Sequence, residues 1–184
     1  MRYEMRLSGS GGQGLVLAGR ILAEAAALYD DLNATQSQSY GPEARGGASR
    51  SDVIISDRDI EFPKTGKLDL LLAFTPDAVQ RYLGDLGPGG VLVLDEESVP
   101  EAPEGDFLVV SIPFQKHARD KFDRAVVANI IACGVITNLC GKISPEGVRS
   151  ATLSRVPRGT EEVNVSALEL GLALGRQFAE NRPT

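Results

Sequence analysis

The run Gly9-Ser10-Gly11-Gly12-Gln13-Gly14 constrains this chain more than any other feature. Ahead of it, residues 3–7 alternate as a strand does. Behind it, residues 15–28 (LVLAGRILAEAAAL) are rich in Ala and Leu and read as a largely buried helix. A Gly-x-Gly-x-x-Gly turn between strand and helix demands backbone angles that side chains with a Cβ avoid. It also brings bare amides to the positive end of a helix dipole, where a phosphate binds. Glycines kept only for close strand–helix packing would leave the same string. A dinucleotide fold needs an acid at the end of its second strand, about 20 residues further on. Here Asp30 and Asp31 come before that strand, which closes on Thr35-Gln36-Ser37-Gln38-Ser39. No Walker lysine follows the glycines either, which argues against a nucleotide hydrolase.

Strand and helix patterns alternate along the rest of the chain. Residues 33–37, 52–56 and 68–74 read as strands, the last apolar on both faces as a central strand is. Thr75-Pro76-Asp77 opens a helix, with a Thr cap, Pro in the first turn and an acid beside it. Gly87-Pro88-Gly89-Gly90 reads as a turn before a strand at 91–94, and another strand follows at 107–112. Helices are expected over 124–140, after Ser144-Pro145-Glu146, and over 163–179. The pattern predicts one domain over residues 1–184, a three-layer α/β/α sandwich around a mixed, mostly parallel sheet. Strands near residues 33–62 have no helix between them, so some pairing there is antiparallel.

A second loop, Ser39-Tyr40-Gly41-Pro42-Glu43-Ala44-Arg45-Gly46-Gly47-Ala48-Ser49-Arg50, also carries chemistry. Arginine offers a planar fork of donors to phosphate, and paired glycines expose backbone amides. The bland alternative is a solvated loop with a surface Arg–Glu pair.

Charge and cysteine content exclude several function classes. The formal net charge of −6 disfavours a protein that neutralises nucleic-acid phosphates. Between Arg81 and Lys116 no Lys or Arg occurs, so an anion site lies elsewhere. No apolar run reaches the roughly 20 residues that span a bilayer, and MRYEMRLSGSGG lacks the apolar core of a signal peptide. A cytoplasmic protein without membrane contact is expected. Cys133 and Cys140, seven residues apart on a helix, are separated by about 10 Å along its axis. That exceeds the roughly 7 Å Cα separation a disulfide tolerates, so both read as small buried hydrophobes. With His117 the only histidine, the chain holds no cluster or zinc ligand set, and no cofactor bound by it alone is expected.

Other candidates have plainer readings. His117 has no nucleophile with a partner carboxylate beside it, which favours a surface or capping role over a general base. Asp95, Glu96 and Glu97 read as a solvated run facing a partner rather than a metal site. Asn129, Asn138 and Asn164, in apolar helical surroundings, read as buried amides in a polar network. No residue is assigned a catalytic role.

Together the segments GSGGQGLVLAGRILAEAA, SQSYGPEARGGASRSDVIIS, LDLLLAF and PGGVLVLD, with NIIACGVITNL and NVSALELGLALG, resemble the gamma subunit of 2-oxoacid:ferredoxin oxidoreductases over nearly the whole chain. The resemblance implies a complex that oxidatively decarboxylates a 2-oxoacid, such as pyruvate, 2-oxoglutarate or ketoisovalerate, to its acyl-CoA and reduces ferredoxin. Thiamine diphosphate, magnesium and iron–sulfur clusters would sit in the alpha and beta subunits and a ferredoxin-like delta subunit. This chain would contribute to coenzyme A binding and to assembly. Gly9, Ser10, Gly11, Gly12, Gln13 and Gly14 would take the diphosphate, and Tyr40, Arg45, Gly46, Gly47, Ser49 and Arg50 would complete the site, the arginines on the 3′-phosphate. The alternatives are a free-standing Rossmann-like module binding NAD or a flavin, and a structural subunit that binds nothing.

Overall fold

Residues 1–40 and 48–180 are described in a computed structural model of the chain. Six strands and six helices follow in the order β1 (Arg2–Ser10), α1 (Leu15–Tyr29), β2 (Asn33–Tyr40), β3 (Ala48–Ser56), β4 (Leu68–Ala73), α2 (Pro76–Tyr82), β5 (Leu86–Asp95), β6 (Phe107–Ile112), α3 (Phe114–Phe122), α4 (Ala128–Cys140), α5 (Pro145–Arg155) and α6 (Glu161–Glu180). The sheet order is β2-β3-β1-β4-β5-β6. β3 runs antiparallel to both β2 and β1, whereas β1, β4, β5 and β6 are mutually parallel.

Alternation along the strands builds two unequal cores. Met5, Leu7, Val53, Leu70, Leu72 and Val93 pack with α1, α3, α4, α5 and α6. Leu68, Leu71, Ala73, Leu92 and Leu94 pack with α2 on the other face. α4 lies deepest: every residue except Asn138 is buried, which is why its sequence shows no polar face. It crosses α6 at backbone contact. A Cβ built on Gly171 would lie 2.0 Å from the Ile131 carbonyl oxygen, and one on Gly134 2.5 Å from that of Leu168. Two helix caps match the sequence: Thr75 accepts from the Ala78 N–H, and Ser144 from the Gly147 N–H.

Three of the differences from the sequence reading change how a segment is classed or paired. β3 starts at Ala48 rather than Asp52, because the polar stretch Ala48-Ser49-Arg50-Ser51 is paired on both sides, to β1 and to β2. Gly87–Gly90 is not a turn but a bulge within β5, since four residues there oppose the single Asp69 between the pairs Leu68–Leu86 and Leu70–Val91. Residues 125–127 form a 3-10 turn ahead of α4 instead of its first turn. Among the described residues no helix is long and apolar enough to cross a membrane.

Candidate functional site

β1 and β4 are parallel neighbours whose chains leave in opposite directions, β1 into α1 on one face and β4 into α2 on the other. Such a divergence opens a crevice at the carboxyl edge, where ligands of open α/β sheets bind. The glycine run sits in that crevice. The antiparallel register pairs Gly9 with Ser49 and Ser10 with Ala48. Both ends of the second loop, Tyr40 and Ala48, therefore lie at the edge where the glycine loop turns.

The glycines divide by role. Gly9 is still in β1, and a Cβ there would lie 2.2 Å from Gln13 Oε1 and 3.0 Å from Phe74 Cβ. Gly14 is the N-cap of α1 in the left-handed region at φ 73°, with the Asn129 Nδ2 only 2.4 Å from where its Cβ would be. Packing explains these two. Gly12 differs: its φ is +90° and nothing lies within 4 Å of a Cβ built on it. Its backbone angle requires glycine, no protein neighbour does, and the space beside it is open. Gln13 braces the turn, its Oε1 accepting from the Ser10 N–H at 2.7 Å. No side chain caps α1 and no acid stands in its first turn, so its positive end faces the crevice.

Ser49 and Arg50 lie in β3, Ser49 buried opposite Gly9. Arg50 reaches the α2 face, where its Nη2 is 3.4 Å from Asp52 Oδ2 and its guanidinium lies 5.7 Å from the centre of the Tyr82 ring. Tyr40 ends β2. Arg45, Gly46 and Gly47, which complete the expected set, lie outside the described residues.

Two features were missed in the sequence reading. Arg6 is a buried cation inside β1, held by Asp52 at 2.7 and 3.0 Å, by Thr65 Oγ1 at 2.9 Å and by Asp85, with its guanidinium over Tyr82. Its only sequence trace is a charge at a core-facing position of an alternating strand. The second is a correction. Asp95 is not part of a solvated run: it is fully buried, accepts from Ser98 N–H and O–H, and caps α3 through the Gln115 N–H at 3.0 Å. The asparagines do form polar links, Asn129 and Asn164 buried and Asn138 half-buried: Asn129 donates to the Gly14 carbonyl, Asn138 to that of Leu172, and Asn164 to Thr160.

A cleft of about 210 Å³ is bounded by the first turns of α1 and α4 and by the connection between α5 and α6. Burial pushes the Cys133 thiol up to about 12, which keeps it protonated at neutral pH. Among the described residues no group of three metal-ligating side chains gathers. His117 is pushed below its usual value, first by burial and then by Lys121. β2 cannot supply a ribose-binding acid beside β1, because β3 intervenes between them.

Residues 4–174 match the family described as pyruvate ferredoxin/flavodoxin oxidoreductase. The chain is 47% identical over 180 residues to the 2-oxoglutarate synthase subunit KorC of Methanocaldococcus jannaschii, covering 97% of this chain and 96% of that protein. It is also 47% identical to the keto/oxoacid ferredoxin oxidoreductase gamma subunit of Geobacter sulfurreducens, whose crystal structure superposes with a TM-score of 0.84 over 94% of this chain and 98% of that one. The fold recurs, at 21% identity and a TM-score of 0.84, in the 2-oxoglutarate:ferredoxin oxidoreductase of Magnetococcus marinus, which was solved with 2-oxoglutarate, coenzyme A and succinyl-CoA bound. There it accounts for 31% of a longer chain.

Proposed function

The chain belongs to the pyruvate ferredoxin/flavodoxin oxidoreductase family and is the gamma subunit of a 2-oxoacid:ferredoxin oxidoreductase complex, and on that premise we propose that its glycine loop binds the diphosphate of coenzyme A. The observation that carries this reading is Gly12, exposed and in the left-handed region, with open space where a side chain would stand. The bare end of α1 supplies N–H groups to an anion there. Ser10 and Gln13 hold the turn, and Gly11 keeps it free of side chains. Tyr40, Arg45, Gly46, Gly47, Ser49 and Arg50 would form the second wall, with the arginines toward the 3′-phosphate.

The substrate of the complex in this reading is 2-oxoglutarate, supported by the 47% identity to a 2-oxoglutarate synthase subunit along almost its full length. The reaction consumes 2-oxoglutarate, coenzyme A and two oxidised ferredoxins. It yields succinyl-CoA, carbon dioxide, a proton and two reduced ferredoxins, one electron each. Thiamine diphosphate with its magnesium supplies the decarboxylation chemistry and iron–sulfur clusters carry the electrons, all on the alpha, beta and delta partner subunits. This chain contributes binding and orientation, and the complex works in the cytoplasm with ferredoxin.

Gly12→Val in the assembled complex tests the reading. The Michaelis constant for coenzyme A should rise about tenfold or more, with that for 2-oxoglutarate unchanged. An unchanged constant for coenzyme A in a complex that assembles normally would overturn it.

A further inference from the structure

We infer that two copies of this chain pair through the outer edge of β2, joining their sheets into one. β2 ends the sheet, and among the described residues no strand pairs with its outer side. An open edge presents a row of unpaired N–H and C=O groups, which proteins guard with lysines, prolines or bulges. β2 carries none of these devices. Residues 33–40 (NATQSQSY) include no charged residue, proline or glycine, and the register with β3 runs unbroken from Asn33–Ser56 to Tyr40–Ser49.

The strand is complementary to itself, as an interface between identical chains about a two-fold axis must be. Thr35-Gln36-Ser37-Gln38-Ser39 reads nearly the same in both directions. Antiparallel pairing centred on Ser37 sets Ser37 against the second copy's Ser37, Gln36 against its Gln38 and Thr35 against its Ser39. Gln36 and Gln38 share the α1 side of the sheet, opposite Val53 and Ser51. Gln36 Nε2 already donates to Ser51 Oγ at 2.9 Å and to the Ser37 carbonyl at 3.2 Å. Its Oε1 is left to accept from the second copy's Gln38, whose side chain makes no hydrogen bond among the described residues. The hydroxyls of Thr35, Ser37 and Ser39 pair on the other face, a favourable cross-strand combination.

Helix α1 supplies an independent geometric match. It lies over β2 and β3, and a Cβ on Gly19 would stand 2.1 Å from Ser51 Oγ and 3.3 Å from Val53 Cγ2. Joined edges give the local order β3-β2-β2-β3, with each α1 over its own pair. At about 4.8 Å per strand the two helices then lie two spacings apart, about 10 Å, which is the packing distance of helices. Between them falls the groove of about 400 Å³ whose lining includes Ala23, Ala27 and Leu28 from α1 and Ala34 from β2. Small side chains there let a second helix approach. Leu28 is 68% exposed in the single chain, the largest value for a large apolar side chain among the described residues, and a second copy would cover it.

The test uses the full chain and variants at Ser37, which is exposed and lies outside the proposed coenzyme A site. Facing residues of an antiparallel pair have Cα atoms about 4.5–5.5 Å apart, within the range a disulfide spans. Cys133 and Cys140 are buried, so a thiol at position 37 is the accessible one. Oxidised Ser37→Cys should run as a covalent dimer on a non-reducing gel, and Glu104→Cys, exposed between β5 and β6, should not. In sedimentation, Ser37→Lys should raise the dimer dissociation constant about fivefold or more, because two like charges face each other. An equimolar mixture of Ser37→Lys and Ser37→Glu should restore dimers, a rescue that follows only if position 37 meets itself. A wild-type chain that stays monomeric at high micromolar concentration would overturn the inference. So would a dimer that forms no disulfide at position 37, or one that Ser37→Lys leaves intact. Hydrogen exchange tests the other occupant: β2 amides protected only after different subunits of the complex are added would assign the edge to one of those and overturn the pairing of copies.

Discussion

The Asn129 side chain donates to the Gly14 carbonyl over 2.9 Å, and the same amide nitrogen stands 2.4 Å from where a Gly14 Cβ would be. One contact thus ties α4 to the start of α1 and excludes every other residue at position 14. Asn129→Ala should cost about 0.5–1.5 kcal/mol, because it removes one of the two hydrogen bonds to the Gly14 carbonyl, which still accepts from the Ala18 N–H at 3.0 Å. Gly14→Ala should cost more, through the clash and the left-handed φ of 73° together. In the double variant the clash disappears and the φ strain remains, so its loss should be smaller than the sum of the singles. Urea denaturation of the four proteins measures this coupling, and strict additivity would contradict it.

The α4–α6 crossing makes a sharper claim about stability. Ala gains about 1 kcal/mol over Gly in a helix interior. At Gly171 that gain meets a Cβ placed 2.0 Å from the Ile131 carbonyl oxygen, where two helix backbones must separate. Gly171→Ala should therefore destabilise by about 1–3 kcal/mol or more. Gly84→Ala, with nothing within 4 Å of the new methyl, is the control and should stay within about 0.5 kcal/mol. Thermal melts of the two variants decide the matter, and equal stability would mean that the crossing relaxes freely.

What was legible in the sequence was local. The glycine turn, α1, and the caps at Thr75 and Ser144 are each written in fewer than twenty consecutive residues, and each forms as read. What sheet pairing decides was not legible. β3 begins at polar Ala48-Ser49-Arg50-Ser51, and no local pattern marks a strand whose ladder bonds come from β1 and β2. Gly87–Gly90 has the composition of a turn but is drawn into β5 by its neighbours, with the Gly89 N–H donating to the Asp106 carbonyl. Asp95 carries a charge that sequence places in water, yet the start of α3 folds over it. The two candidate loops were visible separately. Their adjacency depends on the Ser10–Ala48 register, which no single segment encodes.

The ionisable groups of the helical layer predict chemistry that labelling and pH can read. The Cys133 thiol, with its pKa pushed up to about 12 and no solvent exposure, should resist iodoacetamide in the native protein at mildly alkaline pH. Both cysteines should react in urea, and mass spectrometry counts the adducts. Rapid native modification of Cys133 would contradict its burial.

His117 gives the pH counterpart. Its value in the folded protein is below the usual 6.5, so the unfolded chain binds more protons as pH falls through that region. Stability should decline as pH falls from about 7.5 to 5, and His117→Gln should remove that part of the slope. Urea unfolding of both proteins across this range measures it, and an unchanged slope in the variant would contradict the shift.

The cluster around Asp52 separates stability from ligand binding. Asp52 accepts from Arg6 at 2.7 and 3.0 Å and from Thr65 at 3.0 Å, and it forms an ion pair with Arg50 at 3.4 Å. Arg6 is only 5% exposed, so Asp52→Asn should leave it with Asp85 as its one carboxylate partner and cost about 3 kcal/mol. Arg50 is different. Its side chain is 35% exposed, and its ion pair is long and partly screened. Arg50→Ala should cost at most about 1 kcal/mol and leave the subunit folded. If Arg50 also holds a phosphate of coenzyme A, the same variant should raise the Michaelis constant for coenzyme A about tenfold to a hundredfold. Arg50→Lys should recover only part of that, since it keeps the charge and loses the planar fork. Tyr82→Phe keeps the ring beneath both guanidinium groups and should leave stability and kinetics close to wild type. Denaturation and steady-state kinetics on the same preparations separate the two roles. A stable Arg50→Ala complex that uses coenzyme A normally would confine Arg50 to its contacts with Asp52 and Tyr82 and leave phosphate recognition to other residues.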